Sequence, residues 1–325
     1  MGEILSVTAD ASCRVAVASR SFSRHPQLRA ALLQRYSQVT FNDEGKSLKG
    51  DELVAFLSGH DKAITALERL DESVLSRLPE LQVIGKYGVG LDMIDLEAMR
   101  RLGKKLGWTG GVNRRSVAEL VIAMMISLLR HIPQGQALIR SGGWQQLMGR
   151  QLSERTVGIV GCGHVGKDLA QLLRVFGCRL LAYDIRDFPD FYQAYGIEAV
   201  SLECLLGAAD IVTIHLPLEE STKGMFSAER LQAMRPGSIL INCARGGMVD
   251  EVALRELLKS GHLGGAGFDV FAQEPPEDME LIALPNFLCT PHVGGSAAEA
   301  VLAMGLAAID GLDNAEDPLP VSQPA

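Results

Sequence analysis

The sequence predicts an α/β protein: two doubly wound parallel-sheet domains, one inserted in the other. Three observations predict it. Short apolar runs alternate with helical spacings over most of the 325 residues, the pattern of parallel strands joined by crossover helices. A glycine turn, Gly161-Cys162-Gly163-His164-Val165-Gly166, lies between a strand pattern and a helix pattern. A last helical stretch, about 297–312, follows the second block and has no strand left to serve there, so it packs back on the first. At about 100–200 residues per domain, the length suits two domains.

In the first block, about 13–110, Val15 to Ala18 reads as a buried strand and Gln27 to Tyr36 as a helix. Gln38 to Phe41, Ala63 to Leu67 and Leu81 to Gly85 follow as strands. Glu52 to Leu57, Glu72 to Leu78 and Leu96 to Leu102 are the helices of the block. Ser116 to Arg140 is a long helical stretch that connects the blocks. Ser116 with Glu119 three residues on has the spacing of a capping box, and Pro133 bends or breaks the stretch. The second block has six strand candidates, 156–160, 179–184, 211–216, 238–243, 265–270 and 287–291. Helices are expected at 165–176, 201–208, 227–234 and 250–260. The tail from Asp317 holds three prolines and reads as loose.

Composition narrows the function classes. Thirty-one basic residues against 39 acidic give a net charge of -8 with no basic block, a poor match to nucleic acid or an anionic membrane. The longest apolar run, Leu120 to Leu129, is about half a membrane span. It suits either a core or a subunit interface. Six scattered cysteines form no CxxC pair, which removes zinc-ribbon and dithiol redox chemistry and suits a reducing, cytoplasmic compartment; no metal site is expected. The N-terminus lacks a basic n-region, so no signal peptide is expected, although Gly2 and Ser6 match the loose myristoylation pattern.

Each glycine of the turn has a physical role. Gly161 allows the tight turn, Gly163 lets a diphosphate approach the backbone, and Gly166 lets helix and strand pack closely. The next strand ends in Asp184, where a carboxylate accepts hydrogen bonds from ribose hydroxyls and repels the extra phosphate of NADP. NAD is therefore the expected cofactor, with Arg186 able to soften the preference. The alternative is a plain glycine turn beside a solvated aspartate.

Three polar residues follow apolar strand patterns: Arg245 after SILINCA, Glu274 after GFDV, His292 after FLCTP. Ligands of open parallel sheets bind at the carboxyl ends of strands, so all three are expected at one crevice. A guanidinium fork suits a carboxylate, an imidazole moves protons near neutrality, and a carboxylate beside it stabilises the imidazolium. Singly, each could be an ordinary surface or loop residue.

The stretches TVGIVGCGHVG, INCARGGMVDE, GAGFDVFAQEPP and CTPHVGG, with VIGKYGVGLDMIDL and NRRSVAEL before them, resemble the D-isomer-specific 2-hydroxyacid dehydrogenases, the group that includes phosphoglycerate dehydrogenase and hydroxypyruvate reductase. The likeness covers about residues 60–310. It implies a flavodoxin-like catalytic domain from residues 1–112 and 294–325, with a Rossmann NAD-binding domain, residues 113–293, inserted. It implies catalytic Arg245, Glu274 and His292. It also implies cofactor contacts at Gly161, Gly163, His164, Val165, Gly166, Asp184, His215, Pro217, Cys243, Ala244, Asp269 and Gly294. Lys86, Tyr87, Val89 and Gly90 then belong to the turn that holds the substrate carboxylate, and Asn113 to the hinge. The implied activity is NAD-dependent hydride transfer on a D-2-hydroxy or 2-oxo acid such as hydroxypyruvate, glyoxylate or a phosphoglycerate-like acid, in a homodimer.

The sequence also departs from the family pattern. Lys86 and Thr65 stand where phosphoglycerate-binding members often carry arginines, and Lys105 to Gly110 replaces an apolar strand ending in proline. Trp108 in that segment faces either the crevice or the core. Of the alternative functions, an NAD-sensing, corepressor-like binding protein keeps the same three polar residues. A formate-oxidising relative lacks glutamate at position 274, and a SAM-dependent transferase leaves the Arg, Glu and His set unexplained.

Overall fold

A computed structural model describes residues 10–318. The Gly2 acylation match and the tail beyond residue 318 lie outside the described residues. The chain divides into two compact units, residues 1–113 with 298–325 and residues 114–297.

The first unit holds one five-stranded parallel sheet. Its strands are β1 (Asp10–Val17), β2 (Tyr36–Phe41), β3 (Lys62–Thr65), β4 (Val83–Lys86) and β5 (Lys105–Gly107), in the order β2-β1-β3-β4-β5. This is the flavodoxin-like order, with one reversal beside the first strand. Val15, Ala16, Val17, Ala63 and Ile64 are fully buried because both sheet faces are covered. The final helix, Ala298–Asp313, belongs to this unit and lies very close to the sheet. A Cβ on Gly107 would come within 2.1 Å of the Gly311 carbonyl oxygen, and one on Gly85 within 2.6 Å of the Ala308 oxygen. β5 therefore needs glycine where a longer side chain would push the helix away, which is why it does not read as an apolar run.

The second unit holds seven parallel strands: β6 (Thr156–Val160), β7 (Arg179–Tyr183), β8 (Ile197–Ala199), β9 (Ile211–Ile214), β10 (Ile239–Asn242), β11 (Gly265–Phe268) and β12 (Phe287–Cys289). Their order is β12-β11-β10-β9-β6-β7-β8, the doubly wound arrangement with its switch point between β6 and β9. The seventh strand, β8, is absent from the sequence reading. It is a three-residue edge strand with only Ile197 buried, too short to carry a periodic signal.

The stretch after residue 113 differs from its sequence reading. The first helix runs Arg114–Leu129, and it is core rather than connector: Val121, Met124, Met125, Leu128 and Leu129 are buried among the residues of this unit. The helix starts two residues before Ser116, so Ser116 does not cap it; its hydroxyl donates instead to the Gly294 carbonyl at 2.6 Å. That tie, with Gly294 N–H bound to Asp269, fixes the segment after His292 within the second unit, whose border falls at 297/298 rather than 293/294. The helix breaks at His131, whose φ is 52°, and resumes as Ile132–Arg140 with a bend of 61°. Pro133 sits in the first turn of the new helix, where a missing N–H costs nothing. Among the described residues no single helix is long and apolar enough to cross a membrane.

Candidate active site

The glycine turn follows β6, at the switch point. Gly161 has φ +96°, and a Cβ there would lie 2.6 Å from the His215 carbonyl oxygen. A Cβ on Gly166 would strike the Gly161 oxygen at 2.1 Å, whereas Gly163 has nothing within 4 Å. The middle glycine thus opens a space at the head of the helix His164–Val175, and the outer two let strand, turn and helix close behind it. Exposed N–H groups at a helix N-terminus form a seat for a diphosphate. Asp184, just past β7, accepts from Cys162 N–H at 2.6 Å and Arg186 N–H at 2.9 Å, so its carboxylate is fixed against the turn. These residues fit a dinucleotide.

The other predicted cofactor contacts surround that turn or lie beyond it. His164 is exposed at the first position of the helix, and desolvation of its ring together with Arg114, Lys167 and Arg186 lowers its imidazole pKa. Val165 packs against the core. His215 follows β9; desolvation pushes it down to about 3, so it is neutral at pH 7, sharing a 2.9 Å hydrogen bond with the Thr213 hydroxyl. The Pro217 carbonyl accepts from Thr222 Oγ1 at 2.7 Å. Cys243 is buried against Met124, and desolvation pushes its thiol well up. Ala244 N–H is held by Asn242 Oδ1 at 3.1 Å.

Arg245, Glu274 and His292 follow β10, β11 and β12, three neighbouring strands, at their carboxyl ends. His292 Nδ1 and Glu274 Oε2 are 2.9 Å apart, while Glu274 Oε1 accepts from Phe271 N–H at 3.2 Å. The Arg245 turn is pinned by Asn242, whose side-chain amide donates to the Arg245 carbonyl at 2.9 Å. It is also pressed against the segment leading to Glu274: a Cβ on Gly246 would be 1.8 Å from the Phe271 oxygen. Glu251 accepts from Ala272 N–H at 2.8 Å, bracing the same segment from the helix Glu251–Lys259; burial raises its carboxyl pKa.

Sequence reasoning missed what Asp269 does. It is 1% exposed and its carboxylate accepts from Thr290 Oγ1 at 2.5 Å and from the N–H groups of Val293 and Gly294, each at 2.7 Å. His292 N–H donates to the Asp269 carbonyl at 3.0 Å. His292 itself has φ 55°, a left-handed conformation that these bonds impose. Asp269 and Gly294 thus build the loop that presents the imidazole. The threonine and the two N–H donors lie more than twenty residues downstream, so no local signal marks the network.

In the first unit, Tyr87 departs from its expected part. Its N–H donates to Thr65 at 2.8 Å and its buried ring meets Phe22 edge-on at 5.4 Å, so it is a core residue with no N–H left for a substrate. Lys86 is buried at the end of β4, its ammonium donating to the Ala66 carbonyl. Gly88 adopts φ +127°, open only to glycine, and the turn carries on through half-buried Val89 and Gly90. Trp108 is half-buried against the core, and its Nε1–H donates to the Val89 carbonyl at 3.0 Å.

Comparison with known proteins decides the family. Residues 122–294 match the model described as D-isomer specific 2-hydroxyacid dehydrogenase, NAD binding domain. The chain belongs to this family. Among similar proteins, the D-3-phosphoglycerate dehydrogenase of Rattus norvegicus is 36% identical over 260 residues, 79% of this chain and 49% of that protein. The chain spans about half the length of the curated relatives it matches. The structure of the TT0316 protein from Thermus thermophilus is 34% identical and superposes with a TM-score of 0.82, covering 95% of this chain and 99% of that one. Holo D-mandelate dehydrogenase of Rhodotorula graminis is 26% identical with a TM-score of 0.84, over 93% and 94% of the two chains. The NAD-binding domain of the family is therefore the second unit, with the glycine turn, Asp184, Arg245, Glu274 and His292 all inside the matched span.

Proposed function

We propose that this chain is an NAD-dependent oxidoreductase that interconverts a D-2-hydroxy acid and its 2-oxo acid. The observation that carries the reading is the 2.9 Å pair of His292 and Glu274, one strand from Arg245 in a sheet whose glycine turn fits a dinucleotide. When bound, NAD(H) supplies the hydride acceptor or donor. The chain's residues do the rest. Nδ1 of His292 is engaged by Glu274, so Nε2 is the nitrogen that gives a proton to the forming C2 oxygen in reduction and takes it in oxidation. Glu274 orients the ring and stabilises the imidazolium. Arg245 binds the carboxylate and polarises the carbonyl. In the first unit, the N–H groups of Val89 and Gly90 are donors of the kind a carboxylate takes. The glycine turn with His164 seats the diphosphate, and Asp184 selects NAD by taking the ribose hydroxyls.

The substrate candidates are hydroxypyruvate, glyoxylate and phosphoglycerate-like acids. The Rattus and Rhodotorula relatives act, by their names, on acids as different as phosphoglycerate and mandelate, so the family alone does not choose. The test is NADH oxidation with glyoxylate, hydroxypyruvate, pyruvate and larger 2-oxo acids, beside NAD reduction with 3-phosphoglycerate. Turnover with any of them is expected. NADH binding without turnover across the panel would instead favour an NAD-sensing binding protein.

A homodimer is part of the proposal. The segment 132–148 supports it: the helix Ile132–Arg140 has no buried residue, and Trp144 and Met148 are 88% and 94% exposed. Ile132, Ile139 and Leu147 line a groove of about 450 Å³ beside them. A nine-residue helix does not persist on its own propensity, and exposed apolar side chains grouped in one segment mark a protein contact. A second copy is the occupant we assign to it. The six free thiols suit a cytoplasmic protein.

A further inference from the structure

We infer that Trp108 is a positioning residue for substrate: its indole N–H holds the Val89 carbonyl so that the next N–H groups of the turn point at the substrate carboxylate. The inference rests on the function proposed above and adds a residue to it. Side chains alternate along β5: Leu106 lies in the core beside β4, Gly107 faces the final helix, and Trp108 returns to the Leu106 face. The ring packs there at the edge of the core, half-buried, which fixes the plane of the indole. Its single donor then has one direction, and Val89 O lies along it at 3.0 Å.

The turn needs such an anchor. It leaves β4 through Gly88 at φ +127°, a conformation in which the backbone has no steric walls to hold it. Among the described residues, the N–H groups of Gly88, Val89 and Gly90 have no protein partner. A peptide plane carries its C=O and the following N–H on opposite edges. Fixing the Val89 carbonyl toward Trp108 therefore aims the Gly90 N–H the other way. An amide aimed in advance does not have to be ordered when an anion arrives, so the bond is realised as affinity. The indole also covers the carbonyl, keeping a negative dipole from turning toward the carboxylate.

The bond acts on carboxylate binding in ground and transition states alike, so its loss should appear in KM and not in kcat. Trp108→Phe keeps the ring and removes the donor. We expect KM for the best 2-oxo acid to rise about three- to tenfold, the fold-change of one neutral hydrogen bond. kcat and the NADH Kd should stay within about twofold. A merely structural role would lower Tm and kcat and leave KM alone. The second measurement uses the parent chain, whose tryptophans are Trp108 and Trp144. Oxamate titrated into the NAD-loaded protein should change tryptophan emission saturably, and the change should be absent in Trp108→Phe. Turnover by the parent with an unmoved variant KM, or no emission change in the parent at saturating oxamate, overturns this inference alone. No turnover by the parent on any 2-oxo acid overturns the function on which it rests, and the inference with it.

Discussion

His292 stands at φ 55° because Asp269 holds the loop on both sides of it, and this explains why one carboxylate matters so much at the residue scale. Two substitutions separate presenting the imidazole from using it. His292→Ala should lower kcat by about 10²–10⁴, the usual share of a positioned acid–base group, with the NADH Kd unchanged by calorimetry. Near-normal turnover in that variant would remove His292 as the proton donor. Asp269→Asn puts an amide NH₂ where one carboxylate oxygen accepts an N–H. It should lower both Tm and kcat, the latter by about 10- to 100-fold, as a displaced catalytic group does. An unchanged kcat would show that the loop keeps its shape without the carboxylate.

At the scale of elements, strand ends are braced by the helices that follow them. Asp250 caps the helix Glu251–Lys259, accepting from Ala253 N–H at 2.9 Å, while the adjacent Glu251 turns back to hold Ala272 ahead of Glu274. Burial raises the Glu251 pKa above its ordinary value of 4.5. The sign follows from linkage. Below the unfolded value the group is protonated in both states. As pH rises, the unfolded chain releases the proton first, so folding loses stability until the pH passes the raised folded value. Gln at 251 keeps the acceptor for Ala272 N–H and does not ionise. The Tm of Glu251→Gln relative to the parent should therefore climb as the pH rises through and above the ordinary carboxyl value of 4.5. A flat difference in paired melting curves would mean that Glu251 is not desolvated.

For the whole molecule, the segment 132–148 is where several exposed apolar side chains of the second unit stand together. The earlier helical run, Leu120 to Leu129, is equally apolar but serves the core, where Met124 and Leu128 fill the space over Gly265 and Gly267. Sedimentation velocity should find the parent as a dimer at micromolar concentration. Ile139→Asp, which puts a charge in the strip, should shift it to monomer while far-ultraviolet circular dichroism is unchanged. A monomeric parent would reject the dimer.

Much of this was legible without coordinates. Apolar runs flanked by short turns gave nearly every strand of both sheets, and the three glycines from 161 to 166 gave the turn, since a missing Cβ is a local property. Arg245, Glu274 and His292 stood out because each follows an apolar strand, and the loops after strand ends are where a parallel sheet meets its ligands. What tertiary structure alone decided is whatever depends on a partner distant in the chain. The capping signature at Ser116 gave way to a bond with Gly294, 178 positions away. Tyr87 went to the core on Phe22, and Trp108 went to Val89. Asp269 clamps the histidine loop through the N–H groups of Val293 and Gly294. Local pattern fixes which residues form strands and turns, because sterics and hydrophobic period act over a few residues. Which donor meets which acceptor is set by packing, where a buried polar group takes the nearest partner the fold brings to it.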